Sequence, residues 1–332
     1  MRRGFSAQLF DRLNDTLMEL ARPFIDRHRW QGLRVVAADG SRLQVSTRRG
    51  ADLQADHYAF ALYLPGSELT LHASLHAADG SERQMLFEAL DVIQPQTDVL
   101  VLDRGYPSHA LAAVLSQSQR QFCWRVDATG WTCVRHFLHS GKSEALVALA
   151  APSAADATTY AVQRTSTTVR LTRDVTPSGT VRVLMTSLLD GQLYPAARFG
   201  ALYHCRWRVE EAFKRIKHRL RLKATTGLTH LAFQQDFAAK IVADNLHGLL
   251  AQTPTGGEPE PATPSRPNRT FAIGTLKPIL AGCLLHIRHC LGALAAALDV
   301  IVRTRCRIQP GRAYPRPPRT KPHTYAAYKL CC

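Results

Sequence analysis

No run of ~18–20 uncharged apolar residues, the length a membrane-spanning helix needs, occurs in this chain. The nearest candidate, Leu276 to Val302, is interrupted by His286, Arg288, His289 and Asp299. No apolar stretch follows the basic start Met1-Arg2-Arg3, so the sequence reads without a signal peptide. The eight cysteines show no framework spacing, which fits buried thiols in a reducing cytoplasm and not a disulfide scaffold. Acidic residues are scarce: 26 Asp and Glu stand against 42 Lys and Arg, a net charge of +16. A surplus of that size attracts polyanions, nucleic acid ahead of an anionic membrane surface.

At 332 residues the chain can bury a full core, and one main domain with an insertion or appendage is expected. Cys283, His286 and Cys290 would share one helix face, and such a set can hold zinc. The same face continues through Leu276, Ile279, Leu280, Ile287, Leu291, Leu294 and Leu298, which reads as ordinary apolar packing.

Residues 5–22 carry Leu9, Leu13, Leu17 and Leu20 at helical spacing. Strand-like segments follow at Leu33–Ala38, His57–Leu64 and Leu69–His76, the last alternating with period two. A helix at about 81–92, a strand at Asp98–Leu102, a helix at about 108–119 and a strand at Gln121–Val126 complete the series. Three strands, helix, strand, helix, strand is the order of an RNase H-like mixed α/β sheet. It leaves Asp39 and Asp103 at strand ends, where catalytic groups of α/β sheets recur. Asp39-Gly40 reads equally well, taken alone, as a hairpin turn.

The expected division is a short helical arm (1–30), the first part of the core (31–126) and a β-rich insertion (127–197). The rest of the core with its late helix (198–251), a Pro-rich linker (252–268) and a C-terminal helix with a basic tail (269–332) follow. Within the insertion, Tyr160–Arg164, Thr167–Arg173 and Val181–Leu188 read as strands. Helical periodicity runs from Ala196 to about 223.

That late helix carries Tyr203, Arg206, Glu210 and Lys217, which at 100° per residue project within roughly 60° of one another. Lys214 falls beside them. Leu202, Val209, Phe213, Ile216 and Leu220 form a separate apolar stripe, and Arg208, Arg215 and Arg219 fall on the solvent side. The polar ridge reads either as a solvated face, its Arg206–Glu210 pair worth a few tenths of a kcal/mol, or as a metal-ligand carboxylate flanked by phosphate-binding cations.

The spacing Tyr203-x2-Arg206-x3-Glu210-x6-Lys217 resembles the Y-R-E-K signature of DDE transposases of the bacterial insertion sequence four family. Ala38-Asp39-Gly40-Ser41 and Leu102-Asp103-Arg104-Gly105-Tyr106 resemble that family's companion motifs. The resemblance covers about 33–250 and extends more weakly through Asn268-Arg269 and the tail. Only 38 residues precede Asp39, where family members commonly carry a longer DNA-binding region; a minimal arm or a truncated chain would both give this.

The resemblance implies a cut-and-paste transposase that nicks DNA, then transfers the freed 3′-hydroxyl into target DNA. Asp39 would bridge two Mg²⁺ or Mn²⁺ ions, with Asp103 completing one site and Glu210 the other. Tyr203, Arg206, Lys214 and Lys217 would bind a phosphate of the transposon end. Trp131 is the candidate for stacking on a flipped base, whereas Trp124 reads as core. The implied partners are transposon ends, target DNA and a second copy of the chain in a synaptic homodimer, with no membrane. The rival readings are an RNase H-like nuclease that only hydrolyses and a truncated relic that still binds DNA.

Overall fold

A computed structural model describes residues 6, 8–46, 54–176, 178–220, 222, 229–252, 265–285 and 291–307. The chain opens with α1 (Gln8–Leu20), α2 (Arg22–Asp26), β1 (Arg34–Ser46), β2 (Gln54–Leu64) and β3 (Leu69–Ala77). Next come α3 (Glu82–Glu88), β4 (Asp98–Leu102), α4 (His109–Gln117), β5 (Gln121–Val126), α5 (Thr132–His139) and β6 (Glu144–Leu149). Then follow α6 (Ala154–Thr159), β7 (Thr167–Val175), β8 (Val181–Thr186), α7 (Phe199–His204) and α8 (Trp207–His218). The last elements are α9 (His230–Gln252), β9 (Ser265–Pro267), α10 (Arg269–Leu285), α11 (Leu291–Arg303) and β10 (Arg305–Arg307). They fall into two compact units: 22–43 with 56–212, and 1–21 with 44–55 and 213–332.

The first unit is built on a sheet of order β3-β2-β1-β4-β5-β8-β7-β6. β1, β4 and β5 run parallel; β2–β3 and the pairs from β5 through β8 and β7 to β6 are antiparallel. The fold is therefore a mixed α/β sheet with an RNase H-like core. All of β4 is buried, as a central parallel strand with both faces covered should be. On one face, Val35, Val99, Val101, Cys123 and Leu184 pack with Phe199, Leu202 and Tyr203 of α7. Phe122 and Trp124, of the opposite parity, are fully buried and stacked at 4.0 Å, so Trp124 is core.

The register of the two central strands is pinned by charge. Arg34 donates two hydrogen bonds to Asp98, at 2.7 and 2.6 Å, and Asp98 also accepts from the Gln94 N–H. Arg34 and Asp98 are themselves register partners. A slip of one residue would turn every side chain of β1 to the other face.

Several elements depart from the sequence reading. β1 does not end at Ala38 but continues through Asp39-Gly40 to Ser46. Within 127–197 the strands β6, β7 and β8 extend the same sheet, and the segment also holds two helices, α5 and α6. Ser153 starts α6 by accepting the Asp156 N–H, an N-cap that the surrounding β-branched texture hid. Tyr160–Arg164 is a turn and loop, not a strand.

The expected long helix from 196 is interrupted at Cys205–Arg206. There the amides of Cys205, Arg206, Arg208 and Val209 bond to carbonyls three residues back, at 3.1–3.2 Å. That tighter winding shifts the angular positions of a straight helix. Arg206 is consequently buried at 5% exposure, not on an outer ridge.

In the second unit α1 lies along α9, and α10 and α11 pack on α9 and on each other around Ala251, Ala272, Leu276, Ala297 and Ile301. Leu9, Leu13 and Leu20 of α1 are exposed, while Asn14 is buried and accepts from the Asn245 side-chain amide at 2.6 Å. Arg215, expected at the solvent side of α8, is half-buried and paired in two places with the fully buried Asp244, at 2.9 Å each. His286, Cys290, most of the Pro-rich linker and the basic tail lie outside the described residues, so the Cys283–His286–Cys290 face is not defined here. Among the described residues no helix is long and apolar enough to cross a membrane.

Candidate active site

Arg34 faces Asp98 and Ala37 faces Val101, so carrying the parallel register two residues further sets Asp39 level with Asp103. Both side chains share the parity of Val35, Val99 and Val101, the face that α7 covers. α7 therefore delivers its end, Tyr203 and Arg206, to the two aspartates. Glu210 follows one turn later on α8 and accepts from Arg206 Nη2 at 3.2 Å. The Arg206 guanidinium lies 5.9 Å from the Tyr203 ring centroid. Burial lowers the Arg206 pKa, but Tyr203, Asp39, Asp103 and Glu210 together raise it above its ordinary value.

The carboxylates are held differently. Asp103 accepts from the Gly105 N–H at 2.7 Å, a tight turn in which a Cβ on residue 105 would stand 3.0 Å from the carboxylate. Arg83 clasps the Gly105 carbonyl at 2.9 Å. Burial pushes Asp39 up to about 7, against the pull of Arg206; Glu82 and, less strongly, Glu210 raise it further. Gly40 is not a turn residue. A side chain there would collide with the Tyr58 ring and come within 2.9 Å of Glu82, so the close approach of those two groups requires glycine.

Tyr106 and Arg206 are both buried here: the Tyr106 hydroxyl interacts with the Glu82 carboxylate, and Arg206 with Tyr203 as well as Glu210. Tyr106 is fully buried, and after burial itself the carboxylates of Glu82, Asp39 and Asp103 raise its pKa.

Of the residues expected from sequence, the structure gathers Asp39, Asp103, Tyr203, Arg206 and Glu210. Tyr203 is a core residue at 4% exposure, with the Arg182 guanidinium also over its ring, so it does not present a phenol to solvent as the ridge reading had it. Lys214 and Lys217 lie further along α8, half-buried, Lys217 with its ammonium over the Phe213 ring at 6.0 Å. Trp131 caps α5 with its ring 4.6 Å from that of His109. Glu82 and Tyr58 were not singled out from sequence; a lone Glu in a helix's first turn carries no motif.

Oxygen-only donors of this kind suit a hard divalent cation such as Mg²⁺ or Mn²⁺. They do not form a finished cage: among the described residues no three Asp, Glu, His or Cys side chains stand close enough to hold one ion. The guanidinium of Arg206 is the counter-charge instead.

Residues 30–246 match the family described as transposase DDE domain, a span that contains Asp39, Asp103 and Glu210. Transposase InsG for insertion sequence element IS4, from Escherichia coli (strain K12), is 27% identical over 162 residues. That match takes in 48% of this chain and 36% of InsG, so the chain spans about a third of the length of the curated relative it matches. A cryo-EM structure of piggyBac transposase in a synaptic complex with hairpin DNA aligns with a TM-score of 0.44 at 10% identity, covering 81% of this chain and 57% of that one.

Proposed function

This chain belongs to the DDE-domain transposases, and we propose that it cleaves insertion-sequence ends and joins them to target DNA, using Asp39, Asp103 and Glu210 as cation-holding carboxylates. The observation that carries this reading is that Asp39 within β1, Asp103 just past the parallel neighbour β4, and Glu210 on α8 all act on the one buried guanidinium of Arg206. Bound Mg²⁺ or Mn²⁺ ions, two in this reading, would supply an activated oxygen nucleophile and neutralise charge on the transferring phosphate. Asp39, Asp103 and Glu210 would hold them, and Asp39, its carboxyl pushed up to about 7 by burial, would do so in its ionised form. Arg206, which all three carboxylates act on through charge, would donate guanidinium N–H groups to phosphate oxygens.

The +16 charge fits a DNA substrate worked on in the cytoplasm, two copies of the chain synapsing two ends. Lys214 and Lys217 contribute phosphate contacts, and Trp131 remains the candidate for stacking on a displaced base.

The test is Mg²⁺-dependent nicking and joining of an end-bearing DNA duplex, with a pre-cut end assayed separately for joining. Asp39→Asn, Asp103→Asn and Glu210→Gln should each abolish both steps while non-specific DNA binding persists, because that binding rests on cations. Joining of the pre-cut end distinguishes a transposase from an enzyme that only hydrolyses. Retained cleavage in any of the three variants overturns the site; parallel loss of DNA binding makes the residues structural.

A further inference from the structure

β4 and β5 are parallel neighbours with Leu102 opposite Trp124, so one residue further Asp103 stands level with Arg125. Arg125 comes two residues after Cys123, which packs with Val99, Val101 and Tyr203 on the face that α7 covers. Its side chain therefore leaves β5 on the side of Asp103. Burial raises the Tyr203 pKa, Arg206 lowers it, Asp103 raises it further and Arg125 lowers it, so the charges of Asp103 and Arg125 both reach that phenol.

The structural explanation for an arginine at this position is its ion pair with Asp127. That contact is 3.3 Å long, and the same carboxylate meets Arg104, the residue after Asp103, at 3.4 Å. Arg34 and Asp98, which do pin a strand register, approach to 2.6 Å. The Arg125 and Asp127 side chains are 36% and 38% exposed, where an ion pair contributes about 0–1 kcal/mol. One carboxylate shared by two guanidiniums balances only one of them, and a contact this long in solvent is readily exchanged.

We infer that Arg125 binds a phosphate of the DNA substrate beside Asp103, and that Asp127 holds the guanidinium in place until DNA arrives. The inference rests on the reading of Asp103 as a residue of the reaction centre and adds a substrate contact to that centre. A guanidinium can give two parallel N–H bonds to the non-bridging oxygens of one phosphodiester, which orients the backbone as well as attracting it. Asp127 competes with the phosphate for the same donors, and this gives the pair a sign that a fold-supporting salt bridge lacks.

The experiment measures binding of an end-bearing duplex to the purified full chain in chelator, at several salt concentrations, with folding checked by circular dichroism. Arg125→Gln should weaken binding about tenfold or more and lower the log–log salt slope by about 0.9. Arg125→Lys keeps the charge but not the planar fork, so the slope should return while affinity stays reduced. Asp127→Asn should tighten binding because it frees the guanidinium; a pair that only supports the fold predicts unchanged affinity. Arg29→Gln is the control. Arg29 bonds Asp26 and the Thr97 carbonyl just before β4, at the opposite end of the parallel strands, and its loss should leave the slope at the wild-type value. If Arg125→Gln does not fold, Asp127→Asn decides: tighter binding supports the inference and unchanged binding overturns it. Wild-type affinity and slope in a folded Arg125→Gln protein, with nicking lost in Asp103→Asn, overturn this inference and leave the carboxylate site standing. Equal losses in Arg125→Gln and Arg29→Gln also overturn it. Nicking retained in Asp103→Asn overturns both.

Discussion

Two aspartates, one in each unit, meet arginine in opposite ways, Asp244 fully buried and Asp39 half-buried. Asp244 on α9 is fully buried, takes two hydrogen bonds from Arg215 and lies 3.4 Å from Arg269, which also donates to the Asp244 carbonyl at 2.8 Å. Burial alone would raise its pKa, yet Arg215 and Arg269 hold it below the usual carboxylate range. Asp39 has an arginine nearby too, but Arg206 gives its hydrogen bond to Glu210 and meets Asp39 only through charge. Burial therefore wins at Asp39 and lifts it to about 7. Burial with a cation does not distinguish structure from function. Whether the arginine hydrogen-bonds the carboxylate itself does: Arg215 bonds Asp244 through two nitrogens, whereas Arg206 acts on Asp39 through charge alone.

The largest expected effect falls on the hydrogen-bonded pair. Asp244→Asn should destabilise the fold by about 3–5 kcal/mol, since it strands two buried guanidinium groups. Urea unfolding at pH 7 measures it, and a loss under 1 kcal/mol would break the comparison at its root. The arginines sharpen it. Arg215→Met removes the main partner of a fully buried charge and should cost on the order of 3 kcal/mol. Arg206→Met removes a hydrogen bond to a part-exposed glutamate and leaves no fully buried carboxylate behind, so its cost should stay within about 1 kcal/mol. Equal losses from the two would mean that Arg206 is as structural as Arg215. The same pair separates by function, since only the Arg206 variant should lose affinity for an end-bearing duplex.

Much of the first unit was legible because its signals are local. The Asp98–Leu102 and Gln121–Val126 strands are continuous apolar or β-rich runs between turn residues, and their ends match those expected. The aspartates were legible as motif members beside strands. What the sequence concealed was set by contact and winding. Glu82 reaches the site through tertiary packing against Gly40, which no spacing encodes. Arg206 turned inward because a few amides bond three residues back instead of four, a change too small to alter the apolar periodicity. Arg215 read as a solvent-side residue because its partner, Asp244, is 29 positions away.

The smallest expected effect has the sharpest sign. Asp39 has its pKa raised from 3.8 to about 7 in the folded chain, so the folded state binds more proton than the unfolded state between those values. The stability linked to that proton is complete below about pH 4 and is lost as pH rises through about 7; Asp244, with its depressed pKa, works in the opposite sense and loses its contribution on acidification. Asp39→Asn imitates the protonated carboxyl at every pH. Its melting temperature should match the wild type near pH 4 and exceed it at pH 8. Each pKa unit is worth about 1.4 kcal/mol at most, and partial solvation reduces the total to on the order of 1 kcal/mol. The measurement is thermal unfolding of both proteins from pH 4 to pH 8 in chelator, repeated at pH 8 with Mn²⁺. The cation should stabilise the wild type and narrow the gap, because it favours the ionised Asp39 that burial disfavours. A gap that is independent of pH, or an Asp39→Asn protein less stable than the wild type at pH 8, would place Asp39 with Asp244 among the structural carboxylates.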